Sequence, residues 1–226
     1  MKVFGKNVVK ELLNNPEKVK KIYLTNNFKD QDIIKLIKDK HIQYEPMNKS
    51  VMDHEEEHNQ GIMAIIDDFS YTNYEDMMQD KVVVVLDHLE DPHNFGAIIR
   101  TCEAAGIKSI IIPKDRSVDV TPTVMKVSSG ALSYVNIARV NNLNNVIDKF
   151  KKNGYFIYGA EANGKDYHQI DYAFPIVIII GSEGFGLTKI VQKACDEIVS
   201  LPMNGHVNSL NASVAAGIII YDIIGR

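Results

Sequence analysis

The stretch IVIIIGSEGFGLTKIV, residues 176–191, decides the fold. Its opening run of β-branched residues shows no polar alternation, the pattern of a strand covered on both faces, as in a parallel sheet between helix layers. Glycines then crowd into GSEGFG (181–186), and a helix is expected from about Leu187. A glycine-rich turn from strand to helix raises the question of whether it cradles a phosphate. Its order, Gly-x-x-Gly-x-Gly, is the reverse of the dinucleotide fingerprint, and it lacks the Gly-Lys-Ser/Thr ending of the nucleotide-hydrolysing loop. Glu183 would also set a carboxylate against the phosphate, a repulsive pair unless a metal intervenes. The turn therefore serves either the backbone alone or a ligand that is not a phosphate.

Working outward, VVVVLD (82–87) is a second strand without polar alternation. A helix over about 95–105 ends at Gly106, suited to the left-handed turn after a helix, and the strand IKSIIIP follows. Thr121-Pro122 reads as a cap and first-turn pair opening another helix. Strands near YVNIARV, YFIYGAE and PIVIIIG alternate with helices near 142–153 and 188–194. The short strand EIVSLP and a helix from about Asn208 to Ile224 complete an α/β layered domain with mostly parallel strands. Ahead of it, a helix over 5–15, a strand KKIYL (20–24), a helix over 29–39 with Ile33, Ile34, Leu36 and Ile37 inward, IQYEPM, a short helix from Asn48 and a strand GIMAII make a smaller α/β unit. The polar, acidic segment 67–80 between them reads as a linker.

The 226 residues, 45% hydrophobic and 24% charged, suit one large or two small folded domains and exclude disorder as the main theme. The N-terminus lacks the pattern of a signal peptide, and the longest apolar stretch, near ASVAAGIIIYDII, is shorter than the roughly 20 residues that span a bilayer. Cys102 and Cys195 form no CxxC pair, so neither a disulfide framework nor a metal site is expected, and a cytoplasmic location is. A net charge of −4 argues against indiscriminate nucleic-acid binding. Residues 1–66 carry 11 Lys against 10 Asp/Glu, and the rest 14 Lys/Arg against 19 Asp/Glu. A polyanionic partner would have to be drawn by local lysines such as Lys18, Lys20 and Lys21, or Lys149, Lys151 and Lys152; each cluster also reads as ordinary solvated surface.

HEEEH (54–58) fits the HExxH zinc-peptidase pattern in form only. That chemistry needs His54 and His58 on one face of a sustained helix, whereas Asn59-Gln60-Gly61 and a strand follow at once. Three other places concentrate polar groups. In DHLEDPHNFGAIIRTCEAAG, Asn94 stands where the helix begins, as a cap or a site residue, and Arg100 sits on a largely apolar helix where a guanidinium needs a partner. Glu183 belongs to the glycine turn. In NSLNASVAAG, Asn208, Ser209 and Asn211 lead into a helix whose Leu210, Val214, Ile218 and Tyr221 recur at helical spacing while Ala212, Ala215, Ala216 and Gly217 fill the other sides. Such a helix is expected to be covered nearly all round, by the core or by another subunit.

Together these segments resemble the three motifs of the SpoU/TrmH-type family in the SPOUT class of RNA methyltransferases. Asn94, Gly96 and Arg100 match its Asn-x-Gly-x-x-x-Arg, GSEGFG its Gly-x-Glu-Gly-x-Gly, and SLNASVA its Ser-Leu-Asn-x-Ser-x-Ala, in order, across residues 82–224. The first unit, with GKNVVKELL and HNQGIMAII, resembles the small RNA-binding domain that many members carry, and the layout is most similar to bacterial 23S rRNA guanosine 2′-O-methyltransferases.

The resemblance implies a small α/β RNA-binding domain (1–66), a linker (67–80) and a SPOUT methyltransferase domain (81–226) with a trefoil knot in its C-terminal segment. It implies S-adenosylmethionine as cofactor, held at Gly181, Leu201, Met203, Ser209 and Leu210, and Asn94, Arg100, Glu183 and Asn211 as catalytic residues, with no metal. The expected reaction is 2′-O-methylation of a ribose, with ribosomal RNA favoured over tRNA, by a homodimer joined through the methyltransferase domain. A tRNA D-loop guanosine and a non-catalytic RNA-binding or ribosome-assembly role are the alternatives; an oxidoreductase or peptidase fits the residues less well.

Overall fold

A computed structural model describes residues 1–14 and 19–226 and divides into two compact units, Met1–Ser70 with Val120–Ser133, and Tyr71–Asp119 with Tyr134–Arg226. Lys18 and the end of the helix expected over 5–15 lie outside the described residues.

The first unit holds strands β1 (Lys2–Phe4), β2 (Val19–Thr25), β3 (Tyr44–Met47) and β4 (Ile62–Ile66), and helices α1 (Lys6–Leu12), α2 (Gln31–Asp39) and α3 (Lys49–Glu55). The sheet order is β1-β4-β2-β3; β4 runs antiparallel to both neighbours, and β2 and β3 are parallel. Asp30 caps α2 by accepting from Ile33 N, and Asn48 caps α3 by accepting from Ser50 N. Ile33 and Ile37, a helical turn apart, are buried under α2, whereas Ile34 and Leu36 are only half-buried because they flank that stripe.

A helix encoded much later, α5 (Pro122–Val127), belongs to this unit and lies against β1. Thr121 caps it, its hydroxyl accepting from Val124 N. The chain therefore leaves the second unit and returns to it, a route that local patterning does not encode.

The second unit is built on a six-stranded sheet of β5 (Val82–Asp87), β6 (Ser109–Pro113), β7 (Asn136–Val140), β8 (Phe156–Asp166), β9 (Ile176–Gly181) and β10 (Glu197–Ser200), in the order β10-β8-β9-β5-β6-β7. Every pair in it is parallel. β9 is buried along its whole length and β5 along nearly all of it, as unbroken β-branched runs require when helices cover both faces. The helices are α4 (Pro92–Ala104), α6 (Leu143–Lys152), α7 (Lys189–Ala194) and α8 (Ala212–Ile224). Phe150, Val146 and Ile147 of α6 and Val191 of α7 pack with Val83, Val85, Ile157, Val177 and Ile179 of the sheet in one core.

The segment 67–80, read as a linker, is divided between the units at Ser70/Tyr71. Its later part is structural: Thr72 pairs with Ala138 beside β7, Tyr74–Met77 forms a 3₁₀ turn, and Met77 is fully buried in the core. A single anchored turn leaves no periodicity to read. The last helix also starts later than expected, at Ala212, with Asn211 as its cap; Asn208, Ser209 and Leu210 are non-helical.

Candidate active site

The carboxyl ends of β9 and β5 lie side by side, with β8 running on past them from Ala160, where the chain, having built β6 and β7 on one side of β5, has crossed to the other. Open parallel sheets bind ligands at such a reversal. The glycine loop leaves β9 there, and it is fastened at several points. Ser182 and Gly186 exchange backbone hydrogen bonds of 3.1 and 3.0 Å, Leu187 N donates to Glu161 Oε2 at 3.0 Å, and Thr188 N donates to Asp87 Oδ2 at 2.7 Å. Asp87 is fully buried at the end of β5, opposite Gly181, and also contacts the His88 imidazole. Thus the carboxylates of two flanking strands hold the loop from either side.

The loop tolerates little else at two of its glycines. A Cβ at Gly181 would lie 2.2 Å from the Gly186 carbonyl carbon, and one at Gly186, where φ is +64°, would lie 2.2 Å from Glu161 Oε2. The backbone has folded onto itself and onto a carboxylate, which only glycine permits.

Beside the loop opens a cavity of about 650 Å³. The loop after β10 supplies Leu201 and Met203, the segment before α8 supplies Ser209, Leu210 and Asn211, and the glycine loop supplies Gly181 and Glu183. All five residues expected at the cofactor, Gly181, Leu201, Met203, Ser209 and Leu210, thus line one hollow together with Glu183 and Asn211. The sequence reading did not single out Ala160, Glu161 and Ala162, which form another wall. Their only signal was position, at the carboxyl end of a strand adjoining the glycine turn.

Glu183 links the distant motifs. Its Oε1 accepts from Asn211 Nδ2 at 2.8 Å and from Asn94 Nδ2 in a short hydrogen bond. Asn94 does not cap α4: Asp91 does, accepting from His93 N, with Pro92 in the first turn. Asn94 falls three residues after that cap, inside the first turn, and is buried, so its amide needs the partner that Glu183 provides. Asn211 both caps α8 and lines the cavity: its Oδ1 accepts from Ser213 N and Val214 N while its Nδ2 reaches Glu183.

Arg100 departs from this convergence. It is exposed on α4 and does not line the cavity, and among the described residues it has no hydrogen-bond or ion-pair partner. The expectation of a partner for it fails within the chain because water reaches the guanidinium.

Other reactive candidates drop out on environment. Burial pushes the Cys102 and Cys195 thiols up to about 12, so neither is a thiolate near neutral pH. His54 and Glu55 end α3 while His58 lies beyond it, and no metal-holding cluster occurs among the described residues. Of the lysines considered for a polyanion, Lys20 pairs with Asp67, Lys21 with Glu45, Lys149 with Glu75 and Lys151 with Asp196; among the described residues only Lys152 of those clusters has no ion pair.

On α8 the buried residues are Ala212, Ala216, Ile219, Ile220 and Ile223, whereas Val214, Ile218, Tyr221 and Ile224 are exposed large hydrophobics. The expected all-round covering is therefore supplied by this chain on one side only. That helix also packs on α4, with Gly217 against Thr101.

Comparison with known proteins agrees with this layout. The SpoU rRNA methylase family model matches residues 81–221, and a model for RNA 2′-O ribose methyltransferase substrate binding matches residues 2–72. A protein of Staphylococcus saprophyticus assigned to the TrmH family of tRNA/rRNA methyltransferases is 41% identical, over 99% of this chain and 95% of its own length. Among solved structures, the SpoU methyltransferase AviRb of Streptomyces viridochromogenes in complex with AdoMet superposes with a TM-score of 0.85 at 22% identity, covering 100% of this chain and 89% of that one. The TrmH/SpoU tRNA modifying enzyme of A. aeolicus gives a TM-score of 0.58 at 27% identity, covering 67% of this chain and 82% of that one. With a family model matching residues 81–221, from β5 into α8, and a relative this similar along nearly its full length, the chain belongs to the TrmH/SpoU family of RNA methyltransferases.

Proposed function

We propose that the chain transfers a methyl group from S-adenosylmethionine to a ribose 2′-oxygen of RNA, with a guanosine of 23S ribosomal RNA as the target. The observation that carries the reading is the Glu183 carboxylate joined to Asn94 and Asn211 at the mouth of a cavity lined by glycine backbone, Leu201, Met203 and Leu210. The cavity suits the cofactor: it has apolar walls and backbone for an adenosine, carboxylates for a cation, and no Lys or Arg among the described residues lining it.

When bound, the cofactor supplies an activated methyl group on a sulfonium. The chain's own part is positioning and electrostatics. Glu183 and the two asparagines orient the ribose. Arg100 stands outside the cavity, so its part is toward the bound RNA: it holds a phosphate and, brought up by that contact, stabilises the negative charge that builds on the 2′-oxygen, since a guanidinium is unsuited to giving up a proton. No side chain is assigned as general base; an RNA phosphate or water takes the hydroxyl proton.

The exposed apolar stripe of α8 supports a homodimer formed through the methyltransferase domain, which covers Val214, Ile218 and Tyr221. RNA is held in part by phosphate contacts, so its affinity falls with salt. We place the protein in the cytoplasm, with its RNA. The match of residues 2–72 to a substrate-binding model favours rRNA or tRNA methylation over a non-catalytic role. Mapping 2′-O-methyl groups in total RNA with and without the protein tests the reading: a 23S guanosine that loses its mark supports it, a lost tRNA D-loop mark moves the substrate, and no change overturns it.

A further inference from the structure

The cavity carries charge of one sign. Among the described residues lining it, Glu161 and Glu183 are the only ionisable side chains. The proposed cofactor carries two cationic centres, the sulfonium and the α-ammonium of its amino-acid arm, separated by the short carbon arm of the methionine part, and one anion, the α-carboxylate, which the two glutamates would turn toward solvent. Glu183 is engaged with Asn94 and Asn211, at the end where the ribose oxygen must meet the methyl. That leaves one carboxylate and one cation. We propose that Glu161 receives the α-ammonium group of the cofactor and so sets the cavity's preference for ligands with an amino-acid arm. This inference rests on the reading of the cavity as the S-adenosylmethionine site.

The geometry of Glu161 suits that task. It lies in β8, next to the end of β9, and its carboxylate is held from both sides: Oε2 accepts from Leu187 N and Oε1 from Ala162 N, each at 3.0 Å. A carboxylate oxygen accepts two hydrogen bonds, so each keeps a lone pair for an ammonium donor. Both backbone bonds fix the rotamer before any ligand arrives, which lowers the entropy cost of capture. Gly186 completes the arrangement, since any side chain there would occupy the carboxylate's own position, 2.2 Å from Oε2. A charge-assisted bond from an ammonium to this preorganised acceptor is stronger than a neutral one, whereas the thioether and the adenosine gain nothing from it.

The test compares S-adenosylhomocysteine with 5′-methylthioadenosine, which shares the adenosine thioether but lacks the amino-acid arm, by isothermal titration calorimetry on the full chain. Glu161→Gln keeps the length of the side chain and an acceptor for Leu187 N, and its melting temperature verifies that the glycine loop stays closed. The expected result is a loss of roughly tenfold in affinity for S-adenosylhomocysteine, with 5′-methylthioadenosine changed less than about twofold. Equal losses for both compounds would mean that Glu161 only supports the loop, and unchanged affinity for both would mean that it faces no cation; either overturns the inference and leaves the cavity assignment standing. If the unaltered chain binds neither of these compounds nor S-adenosylmethionine, the cavity assignment itself falls, and this inference with it.

Discussion

Asn94 and Glu183, 89 residues apart in the chain, are joined by a short side-chain hydrogen bond that ties the first turn of α4 to the glycine loop after β9. The asparagine is buried and donates; the glutamate sits at the exposed rim and accepts from Asn211 through the same oxygen. Replacing the donor by an acceptor sets two carboxylates against each other. Asn94→Asp should destabilise the fold by about 1–3 kcal/mol at neutral pH in urea melts. Repulsion raises the folded-state pKa of the pair, so stability is fully present below the unfolded carboxylate range and is lost as pH rises through the raised value. The deficit should therefore shrink on acidification, and a deficit independent of pH would rule out the like-charge explanation.

Arg100 is exposed and without a partner among the described residues, so its removal should cost the fold little. Arg100→Ala is expected to lower methyl transfer by about a hundredfold or more while S-adenosylmethionine affinity and melting temperature stay within error. Arg100→Lys should not rescue it, because an ammonium lacks the planar donor fork. Single-turnover methyl transfer and calorimetry on the same samples decide; retained transfer by Arg100→Ala removes the residue from the mechanism.

Gly181 and Gly184 should separate space from strain. A Cβ at Gly181 would meet Gly186 backbone at 2.2 Å, so Gly181→Ala should open the loop and abolish cofactor binding. At Gly184 a Cβ meets nothing within 4 Å and only the φ of +80° resists, so Gly184→Ala should cost about 1 kcal/mol of stability and leave binding within a few-fold. Calorimetric titration of both variants with S-adenosylmethionine is the measurement, and equal effects would contradict the packing account.

Ile218 lies in the exposed stripe of α8 and is not part of the chain's own core. Ile218→Asp should leave the monomer's fold intact and convert the proposed homodimer to monomer in analytical ultracentrifugation. A chain that sediments as a monomer before any substitution would refute the dimer directly.

In the first unit, the Lys126 ammonium beside Glu56 holds that carboxyl below its ordinary value of 4.5, with the His58 amide contributing. A depressed folded-state pKa gives stability that is present above the unfolded value and lost as pH falls through the folded one. Both groups are partly exposed, so the contribution should be at most about 0.5 kcal/mol. Glu56→Gln should accordingly melt slightly earlier than the unaltered chain at pH 7, with the difference vanishing well below pH 4.5.

The fold was legible wherever burial on both faces writes itself into consecutive residues. VVVVLD, SIIIP and IVIIIG became the central strands, and Asn48 and Thr121 cap helices as short polar side chains do, whereas Asp91 rather than Asn94 caps α4. Less legible were features resting on a single anchor. Met77 pins the segment after Ser70 with one 3₁₀ turn, and Asn211 shifts the start of α8 by bonding two backbone amides at once. Neither produces a period.

By itself, then, the sequence determined the α/β alternation, the parallel character of the main sheet, and the polar and glycine residues in GSEGFG, SLNAS and the first turns of α4, because propensity, capping and two-sided burial act over a few neighbouring residues. Tertiary structure alone decided that α5 joins the first unit, that Glu161 from β8 reaches the glycine loop, and that Glu183 gathers Asn94 and Asn211 while Arg100 stands in solvent. The approach of Glu161 and Glu183 to their partners depends on the strand order β10-β8-β9-β5, and α5 reaches β1 by a return of the chain; both bring remote segments together through loop closure and long-range packing, terms that no local pattern contains.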